Sequence, residues 1–340
     1  MAILTRKQFL QTLAGAGAAA AAASTFAAID PAPKPRIKLG VTLYSYTGEY
    51  APTTTLDGCI ANAAAMGAEG IELLSETHIP NYPNPCGKWV EHWHGLMRKH
   101  KTQPSCYDCC DNSRLRKAGP LTSDESLHLL LRDMELARRL GFKIVRPAWG
   151  VASPGAFSAL TWREMAQKAL PYAEKYDIQL APEINWSVGF NAQVVDAYAN
   201  LIVKTKTRHL GLLLEGGGMS PRHSVLASSA QAGRQFLVSP HESKSLLPLL
   251  PYILHLRGKF RGPYTFQNDG RFWELTDELQ QYRNPFETVI PLLLQGGYNG
   301  YISSEYEGPR SALLASNHLG WQHAKLSRML NDAYEERPTA

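Results

Sequence analysis

The sequence predicts an α/β protein, a (β/α)8 TIM barrel, and three observations carry this prediction. From residue 37 onward, short apolar runs alternate with amphipathic helical stretches, about eight times over roughly 300 residues. Such alternation indicates a parallel sheet with crossover helices. The turn after the first run, TLYSYTGEY, lacks the glycine-rich fingerprint of an open doubly wound sheet, the alternative fold. No composition break marks a second domain, so we expect one barrel over residues 37–337.

The elements follow one another in regular order. The predicted strands are IKLGVTLYSY, AEGIELL, TQPSCYD, KIVRPAW, IQLAPEIN, HLGLLLE, YILHLRGKF and NGYISSEYE. Helical spacing fills the intervals between them, and the helix after the third strand begins with a capping box formed by Thr122 and Glu125. The connection 216–251 starts with GGG and is unusually long, which is typical of a lid, a subunit contact or a simple insertion. A last helix, from about Ser311 to Glu336, closes the chain.

The first thirty residues have the layout of an export signal. Arg6 and Lys7 precede an Ala/Gly-rich apolar run, and the Pro-rich linker PAPKPR follows at 31–36. The segment TRKQFL resembles the twin-arginine motif with lysine as its second basic residue, so we expect export of the folded protein to the periplasm. An ordinary secretory signal and an N-terminal anchor are the alternatives. No later segment is long and apolar enough to predict a permanent membrane span.

Composition excludes some classes of partner. The formal charge is +5 and there is no long basic block, so we expect no nucleic-acid partner. Five cysteines leave at least one unpaired within a monomer. The run CYDCC, residues 106–110, has no matching Cys or His pair for a zinc site, and we expect structural cysteines at a strand end, with one disulfide allowed in an oxidising compartment.

Metal-competent side chains lie at the ends of the last four predicted strands. Chemistry in a barrel of this type lies at the C-terminal ends of its strands, and consecutive strands are neighbours. Each of these residues alone has an ordinary explanation, but four at equivalent positions predict one site for a divalent ion such as Mn²⁺ or Mg²⁺. The predicted ligands are Glu183, Glu215, His255 and Glu305. The earlier strands end in Glu72 with nearby His78, in Tyr107 and Asp108, and in Arg146 with nearby Trp149.

On these residues the chain resembles the xylose-isomerase-like TIM-barrel superfamily, the sugar isomerase/epimerase group. Members typically carry Glu, Asp, His and Glu on strands five to eight. Glu183, His255 and Glu305 match this pattern, whereas Glu215 replaces the usual aspartate. Lys259 lies four residues after the histidine rather than two, so the resemblance gives it no role.

The resemblance implies a metal-dependent isomerase or epimerase of a small sugar or glycoside. An ion, Mn²⁺ first with Mg²⁺ or Co²⁺ as alternatives, would stabilise the enediolate formed when a proton leaves a carbon beside a carbonyl. Glu183 and Glu305 resemble the residues that both hold metal and move protons, and dimers are common in the family. The candidate substrate contacts are His78, Arg146, Trp149, Trp186, Arg257 and Glu307.

Other functions remain open at this point. The segment SEYEG at 304–308, with Glu rather than Asp on strand six, is similar to the large subunit of bacterial C-glycoside deglycosidases. That resemblance implies a lyase acting on 3-keto glycosides with a small β-sandwich partner subunit, although the export signal argues against it. A non-catalytic sugar-binding barrel would hold no metal and tolerate loss of Glu305. The related apurinic endonuclease branch is disfavoured, because the chain lacks the extra histidines of a three-metal cluster.

Overall fold

The parallel strands of a barrel form the framework of the protein. A computed structural model describes residues 36–48, 50, 53–109, 122–148, 159–184, 193–215, 246–259, 264–266, 272–274, 286–306 and 314–335. The predicted export signal and residues 31–35 of the linker lie outside these ranges. The strands are β1 Lys38–Thr42, β2 Gly70–Leu74, β3 Gln103–Asp108, β4 Ile144–Arg146, β5 Gln179–Leu180, β6 Glu183–Ile184, β7 Leu212–Glu215, β8 Ile253–Lys259, β9 Tyr264–Phe266, β10 Phe272–Glu274 and β11 Tyr301–Glu305.

Two of these strands are halves of one predicted strand. The main sheet has the order β5-β4-β3-β2-β1-β11-β8-β7-β6, and its paired strands are parallel. The predicted fifth strand, IQLAPEIN, is interrupted because Pro182 has no N–H to donate to a ladder. Its first half pairs with β4, its second half with β7, and Leu180 also bridges Leu210 before β7. The sheet therefore closes on itself as the eight-stranded barrel that the sequence predicts.

Helices connect the strands. The helix Ser123–Arg139 has the predicted capping box, in which the hydroxyl of Thr122 accepts from the backbone of Glu125 and the Glu125 carboxylate accepts from the backbone of Thr122. The α-helices are Leu56–Ala65, Ser75–His78, Gly87–His100, Ser123–Arg139, Ala159–Tyr176, Gln193–Thr205, Phe286–Gln295 and Leu314–Glu335. None of the helices in the described part of the chain combines the length and apolar character needed to cross a membrane.

The period-two alternation of a strand explains how a charged residue comes to lie inside the barrel. Ile71 and Leu73 are fully buried and belong to the hydrophobic core, as does Trp93 of the helix Gly87–His100. Glu72 stands between the two aliphatic residues and points to the opposite face of the sheet. It is also fully buried, so it lies in the barrel interior among polar side chains.

Two features differ from the predictions. An antiparallel pair, β9 with β10, was not predicted, because these segments fall outside the eightfold alternation of strands and helices. Both are rich in aromatic residues, which favour strands. The long predicted connection ends in a 3₁₀ helix, Leu247–Tyr252, directly before β8, and its residues 216–245 lie outside the described ranges. Among the described residues, Cys59, Cys86, Cys106 and Cys109 form no disulfide.

Candidate active site

Buried charged side chains from seven segments of the barrel meet at the C-terminal ends of its strands. The residues are either the last of their strand or within a few positions of the end, where side chains of parallel strands converge. Each carboxylate is at most 6% exposed. The acids are Glu72, Asp108, Glu183, Glu215 and Glu305, and the cations are Arg146, Arg257 and Lys259.

Arg257 lies at the point where four of the carboxylates converge. Its Nε donates to Oε1 of Glu72 at 2.8 Å, and its Nη1 donates to Oε1 of Glu183 at 2.8 Å. Its Nη2 donates to both Glu72 and Asp108. Oε2 of Glu305 lies 3.4 Å from Nε. One guanidinium on β8 therefore contacts acids from β2, β3, β6 and β11.

Two further cations form ion pairs with carboxylates of the acidic cluster. Arg146 donates from Nε and Nη2 to Oε2 of Glu183, at 2.9 and 2.5 Å. Lys259 places Nζ 2.8 Å from Oε1 of Glu215 and 3.5 Å from Oε1 of Glu305. Each carboxylate of the cluster thus has a cation within ion-pair distance.

His255 lies one layer deeper than the strand ends. It precedes Arg257 by two residues on β8, so both side chains point inward but His255 is nearer the barrel centre. Its Nε2 is 2.9 Å from Oε2 of Glu72 and 3.1 Å from Oγ of Ser303. Among the described residues, its buried Nδ1 has no hydrogen-bond partner.

Two of the carboxyls have opposed proton affinities. Burial disfavours the ionised form of Glu183, but the charges of Arg146 and Arg257 outweigh it and lower its pKa to about 2. Burial raises the pKa of Glu305 to about 7, because Arg257 and Lys259 only partly offset it and Glu215 adds repulsion. Glu183 is therefore ionised at neutral pH, whereas Glu305 exchanges its proton there.

The pKa values of Glu72 and Asp108 are also shifted in opposite directions. Burial works against ionisation of Glu72, but Arg257 and His255 overcome it and hold its pKa below the ordinary range. For Asp108, burial dominates and raises the pKa well above its ordinary value, although Arg257 works in the other direction. The carboxyl of Glu72 therefore stays charged and fixes both His255 and Arg257.

His78 is buried in a short helix after β2, at the same end of the barrel. Burial lowers its pKa to about 4, and the contact of Nδ1 with the Leu74 carbonyl at 3.1 Å offsets this only in part. Its ring packs against Tyr50 at a centroid distance of 4.8 Å. His78, a predicted substrate contact, is therefore fully buried and neutral at pH 7.

Comparison with known proteins decides the family. The family model described as xylose isomerase-like TIM barrel matches residues 60–326, more than half of the chain. The chain belongs to the xylose isomerase-like TIM barrel family. This confirms the predicted family and fold.

The curated relatives include deglycosidase subunits. A C-glycoside deglycosidase alpha subunit of Arthrobacter globiformis is 23% identical, over 88% of this chain and 94% of the relative. A 3'-dehydrocarminate deglycosidase alpha subunit of a Microbacterium species is 20% identical, over 88% and 97%. Among solved structures, an L-ribulose 3-epimerase has a TM-score of 0.58 at 15% identity, over 88% of this chain and 96% of that one. The last likeness supports the fold alone.

The divalent ion that the family resemblance implies can be tested against the described side chains. Three carboxylates and an imidazole are chemically suited to Mn²⁺ or Mg²⁺. However, Arg257 contacts Glu183 and Glu305, and Lys259 contacts Glu215 and Glu305. His255 faces Glu72 below them. In this arrangement the four do not offer an ion a common position, so the residues present do not fit it, and their roles as ligands stay predictions.

A different group has metal-ligand spacing. Ligand atoms of Glu72, Cys106 and His255, all buried, lie within 4.8 Å of one another. A thiol must lose its proton to bind a metal. Burial, together with the charges of Glu72 and Asp108, raises the pKa of Cys106 well above its ordinary value. This group has the spacing of a metal site, and its thiol stays protonated in the absence of an ion.

The structure adds residues to the predicted set. Glu72 and Asp108 were recognised as strand-end acids but not assigned to the site, and Lys259 was given no role. All three contact Arg257 or Glu305. Register supplies the missing signal for Lys259, because its Cα pairs with that of Glu305 across β8 and β11. The predicted substrate contacts Trp149, Trp186 and Glu307 lie outside the described residues.

Proposed function

We propose that this chain is the catalytic large subunit of a lyase that removes the aglycone from 3-keto glycosides. The observation that carries the proposal is Glu305, a buried acid whose pKa of about 7 suits proton transfer at neutral pH. The similarity to deglycosidase alpha subunits over 88% of the chain supports this substrate class. The coarser function, an enzyme acting on sugars, is shared by the relatives of both reaction types.

The first step is removal of a proton from the carbon next to the ketone. The ionised carboxylate of Glu305 accepts this proton, and the C–H electron pair moves toward the ketone oxygen to give an enolate. Arg257 and Lys259 lie 3.4 and 3.5 Å from the carboxyl oxygens of Glu305, so they can stabilise the enolate oxygen electrostatically. Neither cation needs to change charge during the step.

The second step expels the aglycone. The enolate collapses back to the ketone, its electron pair forms a double bond between the deprotonated carbon and the anomeric carbon, and the bond from the anomeric carbon to the aglycone breaks. The aglycone leaves with that electron pair and takes up the proton that Glu305 removed in the first step. The products are an unsaturated 3-keto sugar and the free aglycone.

Glu183 has a binding role in this proposal. Its carboxylate receives hydrogen bonds from both Arg146 and Arg257, and a pKa of about 2 makes it a weak base at neutral pH. It therefore orients the two guanidiniums toward a sugar oxygen. The predicted proton-transfer role of Glu183 belongs to the alternative reaction, an epimerase, in which a second carboxyl returns the proton from the opposite face.

The epimerase alternative shares the first step. Glu183 and Glu305 approach Arg257 from different strands, and an epimerase would use one of these carboxyls to remove the proton and the other to return it. Neither reaction as proposed is routed through the predicted divalent ion, because Arg257 and Lys259 occupy the predicted carboxylate ligands. We include a small partner subunit in the lyase proposal, because the relatives are named as alpha subunits.

The test is to incubate the purified chain in D₂O with the 3-keto glucoside of 4-nitrophenol. Release of 4-nitrophenolate, followed at 400 nm, measures the lyase, and proton NMR measures deuterium entering beside the ketone. We expect exchange and release in the wild type, and Glu305→Gln to lose both by about 10² to 10⁴-fold. Exchange with epimer formation and no release would select the epimerase. Absence of exchange, with and without added Mn²⁺, would show that this chain by itself does not remove the proton, which contradicts the role given to Glu305 in both reactions.

Two controls keep these outcomes interpretable. Lys143→Met removes an exposed lysine that precedes β4 and pairs with Asp177, at the end of the barrel opposite the site, so it should leave exchange unchanged. A stable keto sugar without a leaving group at the anomeric carbon should exchange its proton but release nothing. If Glu305→Gln exchanges at the wild-type rate, another group removes the proton and the assignment of Glu305 is wrong.

A further inference from the structure

One arginine occupies the point toward which the strand-end acids of the barrel are directed. Arg257 is 5% exposed and contacts four carboxylates that come from four different strands. The contacts use all three guanidinium nitrogens. The four acids are Glu72, Asp108, Glu183 and Glu305.

The guanidinium is held in place by shape as well as charge. Its planar fork allows several parallel hydrogen bonds to carboxylates, which a spherical ion does not make. Glu72 binds Arg257 through one oxygen and His255 through the other, so its own orientation is fixed from below. Moving the guanidinium away would leave buried carboxylates without a counter-charge, which is costly in a protein interior.

The same oxygens are those that a divalent cation would take. Two of the four predicted ligands, Glu183 and Glu305, contact Arg257 directly, and Glu305 also contacts Lys259. A cation cannot share these oxygens with a guanidinium at hydrogen-bond distance, because the two positive charges would then lie within a few ångströms in a poorly screened interior. Ion and side chain therefore exclude each other.

We propose that Arg257 is a resident cation that competes with divalent metal for the strand-end carboxylates. A metal ion binds this cluster only in molecules whose Arg257 has turned away from it. The apparent Kd then equals the intrinsic Kd divided by the fraction of such molecules, so that a fraction of about 1% weakens binding about 100-fold. Removing the guanidinium should remove this competition.

The experiment measures Mn²⁺ binding to the full chain from the EPR signal of free Mn²⁺, with no substrate present. We expect Arg257→Met to bind Mn²⁺ at least about 10-fold more tightly than the wild type, since the competing state is gone. Arg257→Lys keeps a cation at the same position and should bind as weakly as the wild type. Arg146→Met is the matched control: Arg146 lies at the side of Glu183, and its loss should tighten binding less than Arg257→Met does.

Several results would overturn the proposal. These are equal Kd values for wild type and Arg257→Met, weaker binding by Arg257→Met, or equal tightening by Arg146→Met. A further test uses retention: wild-type protein that keeps one Mn²⁺ per chain through gel filtration in metal-free buffer, with the ion lost in Glu305→Gln, contradicts a resident arginine. Far-UV circular dichroism and thermal unfolding check that each variant is folded. Because binding is measured without substrate, failure of this proposal is independent of the lyase proposal.

Discussion

The proton affinity of Glu305 should depend strongly on Lys259. The two residues are register partners on β8 and β11, and Nζ of Lys259 lies 3.5 Å from Oε1 of Glu305. Lys259→Met removes a positive charge that favours the ionised carboxylate and also leaves Glu215 without this counter-charge. Both changes disfavour a second negative charge at Glu305, so its pKa should rise above the wild-type value of about 7.

The separation of the charges sets the magnitude. A unit charge pair at 3.5 Å is worth about 5 kcal/mol at an effective dielectric constant of about 20, and about 1 kcal/mol at the value of water. These limits correspond to an increase in pKa of roughly 1 to 3.5, since 1.36 kcal/mol equals one pKa unit. The Lys259 side chain is 13% exposed and water can enter on its loss, so we expect an increase near the lower limit.

The assay is the rate of deuterium exchange beside the ketone of a 3-keto glucoside, measured as a function of pD. Because Glu305 acts as a base, the wild-type rate should rise with pD and level off above a midpoint near 7. The midpoint should move upward by about one unit or more in Lys259→Met. Carboxyl ¹³C NMR of glutamate-labelled protein, assigned with Glu305→Gln, gives the same pKa without substrate.

The pD profile of Lys259→Met needs a control variant at another lysine. Lys143→Met removes a lysine at the protein surface whose partner, Asp177, is also exposed, and it should leave the midpoint where it is. An unchanged or lowered midpoint in Lys259→Met would show that Lys259 does not stabilise the Glu305 carboxylate. The electrostatic account of the site would then be wrong.

Three further predictions concern stability and location. The folded-state pKa of Glu305 is raised from 4.5 to about 7, so its contribution to stability is complete below pH 4.5 and is lost as pH rises through 7. Relative to Glu305→Gln, the unfolding free energy of the wild type should therefore fall by about 3 kcal/mol between these pH values. Urea unfolding at several pH values measures this, and an equal pH dependence in the two proteins would contradict it. Tyr107→Phe deletes a hydrogen bond to buried Asp133, 3.0 Å long, and should cost about 0.5–1.5 kcal/mol in urea unfolding, whereas no loss would mean that the bond is not stabilising. The export prediction requires wild-type protein in the periplasmic fraction, shortened at its N-terminus, and a variant with Arg6→Gln and Lys7→Gln that stays full length in the cytoplasm; equal location of both would refute it.

The sequence predicted the barrel because its signals are local. Each strand is a short apolar run, each helix has its own periodicity, and the capping box of Thr122 and Glu125 is a pattern of four residues. The break within the fifth strand follows from Pro182, yet the apolar pattern continues across it and gave one strand. The hairpin of β9 and β10 was missed because it adds strands outside the repeating unit.

The acids of the site were predictable by the same reasoning, since strand ends can be read from periodicity. Their partners were not. The contact between Arg257 and Glu72 joins residues 185 positions apart, and the one between His255 and Glu72 joins residues 183 positions apart. Such contacts depend on the depth of each side chain in the closed barrel, which strand assignments alone do not give.

On β8, Arg257 and Lys259 differ from His255, a predicted metal ligand, in how deep their side chains lie in the barrel. The inward positions of this strand are occupied in order by His255, Arg257 and Lys259, spaced two residues apart. A motif search favours the histidine because imidazole is the more familiar ligand. The geometry places the two cations, and not the histidine, at the height of Glu215 and Glu305. A cluster of buried acids at strand ends therefore needs its counter-charge identified before an ion is assigned to it, and in this barrel β8 itself supplies that charge.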